Sequence, residues 1–306
     1  MTPVAALDCG TNSTRLLVVD HAGTPIDRRM RITRLGQGVD ATGELREDAM
    51  ARTIDVLREY RGAMDDHGVT AGRLAATSAA RDARNGATFL EAAAAVTGIK
   101  AELLSGEEEG RLSFAGATAD LDGTLDGVVV LDIGGGSTEL VTEVDGAVVA
   151  HSMQVGCVRL TERALAADPP PLVALADAAA MADAAIDVAF AAVPSLATAR
   201  ADRRVVGLAG TVSTLAQIDL GLTRYDEAAV HHHWLSLEAI RRWRDVLAAM
   251  TIAARREQPG MVPGREDVIV AGIVILERVI VRLAAEGCLS SEHDILDGLA
   301  RSVLER

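Results

Sequence analysis

Two short stretches hold the residue types best suited to chemistry. Asp8-Cys-Gly-Thr-Asn12-Ser13-Thr14-Arg15 and Asp132-Ile-Gly134-Gly135-Gly136-Ser137-Thr138-Glu139 align without a gap, every residue of the second standing 124 positions after its counterpart. Each reads as an apolar strand ending in a carboxylate, a Gly/Ser/Thr turn, and a second apolar strand. Such a turn suits a phosphate group. Glycines let backbone N–H groups approach an anion, hydroxyls add donors, and the aspartate can hold a cation that neutralises phosphate charge. In the second copy two carboxylates, Asp132 and Glu139, flank the loop and could hold Mg²⁺ directly or through water. One glycine hairpin is a weak signal. Its recurrence a domain-length away points to two similar lobes with a polyphosphorylated ligand between them.

A third stretch, Ser105-Gly-Glu107-Glu108-Glu109-Gly-Arg111, opens a predicted helix. Ser105 and Glu108 have the spacing of a capping box, and acids in a first helical turn complement the helix dipole. The chemical alternative for Glu109 is a general base that orients and deprotonates a water. Arg15, Arg81 and Arg265 are candidate phosphate clamps, because a guanidinium meets phosphate oxygens in bidentate fashion. His231-His-His233 invites a metal reading. Three adjacent histidines cannot converge on one ion from a regular element, and no cysteine partner lies near them, so a structural or loop role is expected. Gly210-Thr211 reads as a backbone approach to a nucleotide or as a tight turn.

The elements that must position these groups alternate between strands and helices, which argues for α/β lobes. Residues 3–20 read as two strands around the first turn, and 31–43 as loop. Apolar spacing predicts helices over 46–66 and 81–96, strands over 72–78 and 99–104, and a helix over 106–117. The polar stretch 120–127 marks the lobe boundary, giving a first lobe of 1–122 and a second of 123–292. The second lobe opens with a hairpin over 127–152. Helices over 174–192, 237–250 and 267–285 and a strand over 204–208 follow, and Pro169-Pro-Pro171 reads as a rigid loop. A terminal helix within 293–306 is expected to pack back onto the first lobe.

Composition narrows the partners. With 306 residues, 49% hydrophobic and 24% charged, the chain is an ordinary folded protein of two domains. A formal net charge of −14 and 2% aromatics argue against nucleic acid and anionic membranes as partners. An anionic substrate must therefore be held locally by arginines, amides and a cation. Lys100 is the only lysine, which excludes a P-loop or Schiff-base lysine as the chemical centre. Three scattered cysteines suit a reducing cytosol. Charged residues within the first twenty argue against a secretory leader, and the apolar run 268–276 is too short to span a membrane, so a cytoplasmic location is expected.

Taken together, the motifs resemble the Ppx/GppA phosphatases, which comprise exopolyphosphatases and guanosine pentaphosphate phosphohydrolases within the acetate and sugar kinase, heat-shock ATPase and actin superfamily. The resemblance spans the chain. Beside the two loops it covers Arg34-Leu-Gly-Gln-Gly38, Ala76-Thr-Ser-Ala-Ala-Arg81-Asp-Ala-Arg-Asn85, the Glu109 stretch, Gly210-Thr211, Pro263-Gly-Arg265-Glu-Asp267 with Ala271-Gly272, and His293-Asp-Ile-Leu-Asp-Gly298. It implies two actin-like (ribonuclease H-like) lobes with a cleft between them. It also implies Glu109 as catalytic base, and Asp132 and Glu139, with Asp8, as the acids positioning Mg²⁺ (Mn²⁺ as an alternative) and the lytic water. Asn12, Ser13, Thr14, Gly134, Gly135, Gly136, Ser137 and Thr138 match the phosphate loops, and Arg15 and Arg81 the arginines facing phosphate. A homodimer is a family-level expectation. Longer relatives carry C-terminal helical domains of the HD type that help bind long polyphosphate. This sequence stops after two lobes, so the expected activity is release of terminal phosphate from short polyphosphates. The competing expectations are a guanosine pentaphosphate 5′-phosphohydrolase, a small-molecule kinase of the same superfamily, and a non-catalytic polyphosphate or alarmone sensor.

Overall fold

Val4–Cys9 is apolar and buried at every residue, as a strand covered on both faces requires. In the computed structural model, which describes residues 2–198, 200 and 202–305, this strand (β1) is the centre of a five-stranded mixed sheet. β2 (Ser13–Val19) returns antiparallel beside it and β3 (Pro25–Ile32) follows antiparallel at the edge. After α1 (Val39–Thr42) and α2 (Glu47–Asp66), β4 (Ala71–Ala76) lies parallel to β1 on its other side. Then come α3 (Ser78–Asp82), α4 (Gly86–Thr97), β5 (Ala101–Leu103) parallel to β4, and α5 (Gly106–Ala117).

Two expectations need correction here. Residues 25–32 form a strand that the sequence reading misses, because Asp27, Arg28, Arg29 and Arg31 erase its apolar signal. Those charges suit an edge, where they discourage pairing with another chain. The single helix expected over 81–96 is two helices. Ala83 is extended between them, and Gly86 lies so close to the Ala80 backbone that a Cβ there would strike its carbonyl oxygen.

The second unit repeats the plan. β6 (Val128–Ile133), β7 (Thr138–Val144) and β8 (Ala147–Met153) form an antiparallel meander. α6 (Cys157–Ala164), α7 (Leu172–Ala192) and α8 (Pro194–Ala197) lead to β9 (Arg204–Leu208), parallel to β6. α9 (Ala209–Asp219) follows directly, so Gly210-Thr211 belongs to a helix and not to a tight turn. The helix starts at Ala209, in the left-handed region with φ 63°. α10 (Glu227–Val230), β10 (Trp234–Ser236), α11 (Leu237–Ala249), α12 (Ile252–Arg256), α13 (Ile269–Arg282) and β11 (Gly287–Ser290) complete the unit. The sheet order is β10-β11-β9-β6-β7-β8. Read from the meander, both sheets begin third, second, first, fourth strand, the core order of ribonuclease H-like lobes; β5 completes the first sheet, and β11 followed by β10 at the edge completes the second.

The last helix, α14 (Ile295–Leu304), returns to the first unit, where Leu296 and Leu299 pack with Val4, Ala6 and Leu17. Arg306, at the end of the expected terminal helix, lies outside the described residues. By contacts the units are Met1–Gly116 with Asp294–Arg306, and Ala117–His293. α13 carries the second core, with Ile269, Ile273, Leu276 and Ile280 all buried. Each such side chain contributes roughly 1.5–3 kcal/mol. Among the described residues, no helix is long and apolar enough to cross a membrane.

Candidate active site

In the first unit, the β1–β2 register sets Asp8 opposite Arg15 and Cys9 opposite Thr14. Gly10 closes the turn, its N–H donating to the Ser13 carbonyl at 3.0 Å. The Asn12 carbonyl accepts the N–H groups of Thr33 and Arg34, and the Thr14 and Thr33 hydroxyls share a hydrogen bond of 2.8 Å. The loop is therefore fixed by its own backbone, leaving the Asn12 amide nitrogen buried with no hydrogen-bond partner. Arg15 donates through Nη2 to Asp8 Oδ2 at 2.7 Å and through Nη1 to Asp294. The guanidinium expected to face phosphate thus braces two carboxylates. Asp294 also caps α14, in a capping box with Asp297. Sequence reasoning missed Asp294 as a site residue, because its partner Arg15 is 279 positions away. The one signal was its place in the motif His293–Gly298.

Asp8 is almost fully buried, and its Oδ1 has no hydrogen-bond partner. Burial pushes this carboxyl above its ordinary 3.8, an effect that the neighbouring Arg15 reduces but does not cancel. A buried, under-coordinated carboxylate oxygen is the donor a hard dication takes.

Glu109 sits in the first turn of α5, its N–H donating to the Ser105 carbonyl at 2.9 Å. Ser105 Oγ accepts the Glu108 N–H at 3.2 Å, while the Glu108 carboxylate pairs with Arg73. Glu109 instead faces Arg81, with Oε2 at 3.4 Å from Nη1 and its side chain 12% exposed. Arg81 is anchored by a 2.9 Å hydrogen bond to the Leu104 carbonyl, and its Nη2 is buried with no hydrogen-bond partner. Glu108 and Glu109 are thereby distinguished: Glu108 pairs with Arg73, and Glu109 is held beside a cation with an open donor.

In the second unit, β6–β7 pairing sets Asp132 opposite Glu139, the cross-strand positions that Asp8 and Arg15 occupy in the first. Glu139 is fully buried and its Oε1 accepts from Ser152 Oγ at 2.7 Å. The glycine loop is clamped by the start of α6. The Gly134 carbonyl accepts Cys157 N–H, and the Gly135 carbonyl accepts the N–H groups of Val158 and Arg159. Thr138 Oγ1 donates to the Val155 carbonyl at 2.6 Å, and Ser137 is buried. Gly135 and Gly136 press against Gly156, where a Cβ would stand 2.5 Å from Gly135 C and O. Arg265 is 8% exposed and lies flat on Gly210, at a spot a Cβ would fill.

Each unit therefore presents a backbone-fixed Gly/Ser/Thr loop between a strand-end aspartate and a charged residue on the return strand. Two lobes that share the 3-2-1-4 strand core and carry such loops define a phosphate-handling protein of the actin-like superfamily. The sequence matches the Ppx/GppA phosphatase family over residues 17–305. It is 41% identical to Exopolyphosphatase 2 of Mycobacterium tuberculosis strain H37Rv, with 99% of each chain covered. Among solved structures, it resembles an exopolyphosphatase-like protein at 37% identity and TM-score 0.90, covering 98% of both chains. It also resembles the Aquifex aeolicus Ppx/GppA family member at 30% identity and TM-score 0.79, covering 99% of this chain and 98% of that one. The chain belongs to the Ppx/GppA phosphatase family.

Proposed function

We propose that this protein is an exopolyphosphatase that hydrolyses the terminal phosphoanhydride bond of short polyphosphates. The observation that carries this reading is the carboxylate pair Asp132 and Glu139, set opposite each other across a clamped glycine loop. A relative named Exopolyphosphatase 2 at 41% identity supports the substrate class.

Glu109 takes a proton from water as the water oxygen attacks the terminal phosphorus. The bond from that phosphorus to the bridging oxygen breaks. The products are inorganic phosphate and a chain one unit shorter, whose new terminal oxygen keeps the bonding electron pair. Arg81 holds Glu109 in place, and its buried Nη2 is a donor for a phosphoryl oxygen. Loop N–H groups and the hydroxyls of Ser13 and Ser137 orient the phosphoryl oxygens, while the buried Thr14 and Thr138 hydroxyls, bonded to Thr33 and to the Val155 carbonyl, hold the two loops in shape, and the positive end of α6 adds a fixed dipole. Asp8, Asp132 and Glu139 are hard oxygen donors and fit Mg²⁺, with Mn²⁺ as a substitute, and Asp8 Oδ1 is already buried without a partner. When bound, the ion supplies charge neutralisation for the phosphate oxygens.

The preference for short chains rests on the net charge of −14, which repels a long polyanion everywhere except at the site. The test is phosphate release from short and long polyphosphate and from guanosine pentaphosphate, side by side. Faster turnover of the pentaphosphate would move the function to alarmone hydrolysis.

A further inference from the structure

The histidine run that the phosphatase reading leaves aside is split by the fold. His233 turns to Asp219, its Nε2 at 2.9 Å, where Trp243 and Arg242 also donate, and is structural. His231 and His232 stack face to face with centroids 3.9 Å apart, and His293 lies against His231 at 4.6 Å. All three surround one carboxylate, Asp120. Its Oδ2 is 2.6 Å from His231 Nε2, 3.3 Å from His293 Nδ1 and 3.9 Å from His232 Nε2. One donor atom each from Asp120, His231 and His293 falls within a 4.8 Å cluster. The acidic partner that the sequence did not show therefore exists, brought in from 111 residues upstream.

Hydrogen bonding sorts the three imidazoles. The Glu292 N–H donates to His231 Nδ1 at 3.2 Å, so the neutral ring carries its proton on Nε2 and donates it to Asp120. His231 is thus a donor to the carboxylate, the outer partner that ligating carboxylates commonly have. His232 differs. Its Nε2 is buried with no hydrogen-bond partner, and its backbone is held in the left-handed region at φ 61° by its N–H bonding to the Ser290 carbonyl at 2.7 Å. Non-glycine residues forced into such a conformation collect at functional positions.

We propose that Asp120, His232 and His293 form a site for one borderline transition-metal dication such as Zn²⁺, with His231 orienting Asp120 and water completing the coordination. Donors of a tetrahedral zinc ion stand about 3.3 Å apart, and the two donor separations from Asp120 are 3.3 and 3.9 Å. Two imidazoles and one carboxylate select such an ion over Mg²⁺. Its place gives it a consequence. The chain passes between its two units at 116/117 and 293/294, and Asp120 and His293 stand just inside the second unit at these two passages. A bound ion would cross-link both connections at their ends in that unit.

The full chain would be titrated with Co²⁺, read by its visible absorption, and with Zn²⁺ by calorimetry, with no substrate present. One ion per chain is expected. Affinity should fall at least hundredfold in the His232→Ala/His293→Ala double variant and in Asp120→Asn. It should fall only about 10–100-fold in His231→Ala, and stay unchanged in Asp132→Asn/Glu139→Gln. Thermal unfolding of each variant establishes that it is folded. Absence of one-to-one binding by the wild type would overturn the proposal. So would binding that survives the His232/His293 substitutions, or binding that the Asp132/Glu139 substitutions remove. Loss in His231→Ala as large as in the double variant would overturn the ligand assignment.

Discussion

Replacing Gly156 with alanine sets a methyl group where the second glycine loop already stands. The backbone at Gly156 is extended, with φ −143° and ψ 170°, so alanine adopts it without strain and only the contact matters. The new Cβ would lie 2.5 Å from Gly135 C and O and 2.7 Å from Gly136 C. These are backbone atoms and cannot swing aside. Carbon contacts become comfortable near 3.5 Å, so the loop must retreat by about 1 Å. Overpacking of this kind costs about 1–3 kcal/mol of stability. A retreat of about 1 Å by phosphate-positioning amides costs about 10²-fold in kcat/KM. The assay is phosphate release from short polyphosphate with Mg²⁺ at a temperature where the variant is folded. Gly146→Ala is the control. Its φ of 77° makes alanine strained, at a cost of about 1–2 kcal/mol, but nothing lies within 4 Å and no site residue is displaced. A Gly156→Ala enzyme that is folded and works within about threefold of wild type would refute the role given to the loop.

Three other outcomes follow from the geometry. Arg81→Gln removes the cation 3.4 Å from Glu109 and a donor for the phosphoryl oxygens. Steady-state kinetics should show kcat lower by about 10²–10³; an unchanged kcat would remove Arg81 from the site. Ser152→Ala takes a 2.7 Å hydrogen bond from the buried Glu139, and denaturant unfolding should show a loss of about 1–3 kcal/mol. The third concerns pH. Because burial raises the Asp8 carboxyl, its contribution to stability is fully present below its unfolded value of 3.8 and is lost as pH rises through the higher folded value. At neutral pH a cation at Asp8 offsets that loss. Mg²⁺ at a hundredfold excess over its dissociation constant should stabilise the protein by about 2.7 kcal/mol. Melting temperatures with Mg²⁺ or EDTA, in wild type and Asp8→Asn, check this, and an equal rise in both would count against Asp8 as a ligand.

What was legible in the sequence was local or periodic. The two loops could be aligned because strand, turn and return strand are consecutive in the chain, over 4–19 and 128–144. The register then pairs Asp8 with Arg15 and Asp132 with Glu139, as equal spacing from the turn requires. The strand Arg204–Leu208 and the helix Gly106–Ala117 were readable for the same reason, each being bounded by its own turn or cap signals. Contacts between distant segments were not legible. Arg15 meets Asp294 and His231 meets Asp120 only after the whole chain has folded. Local chemistry also misled in places. Charges hid the edge strand Pro25–Ile32, and a glycine suited to a turn instead lets Arg265 lie against the start of α9.

The most direct test of the account is phosphate release by purified protein with Mg²⁺ on short polyphosphate, with Glu109→Gln beside the wild type. The account predicts release by the wild type and a fall in kcat of about 10²–10⁴ in the variant, with substrate binding retained. Wild-type protein that binds polyphosphate and releases no phosphate, or a variant that turns over as fast as the wild type, would contradict it.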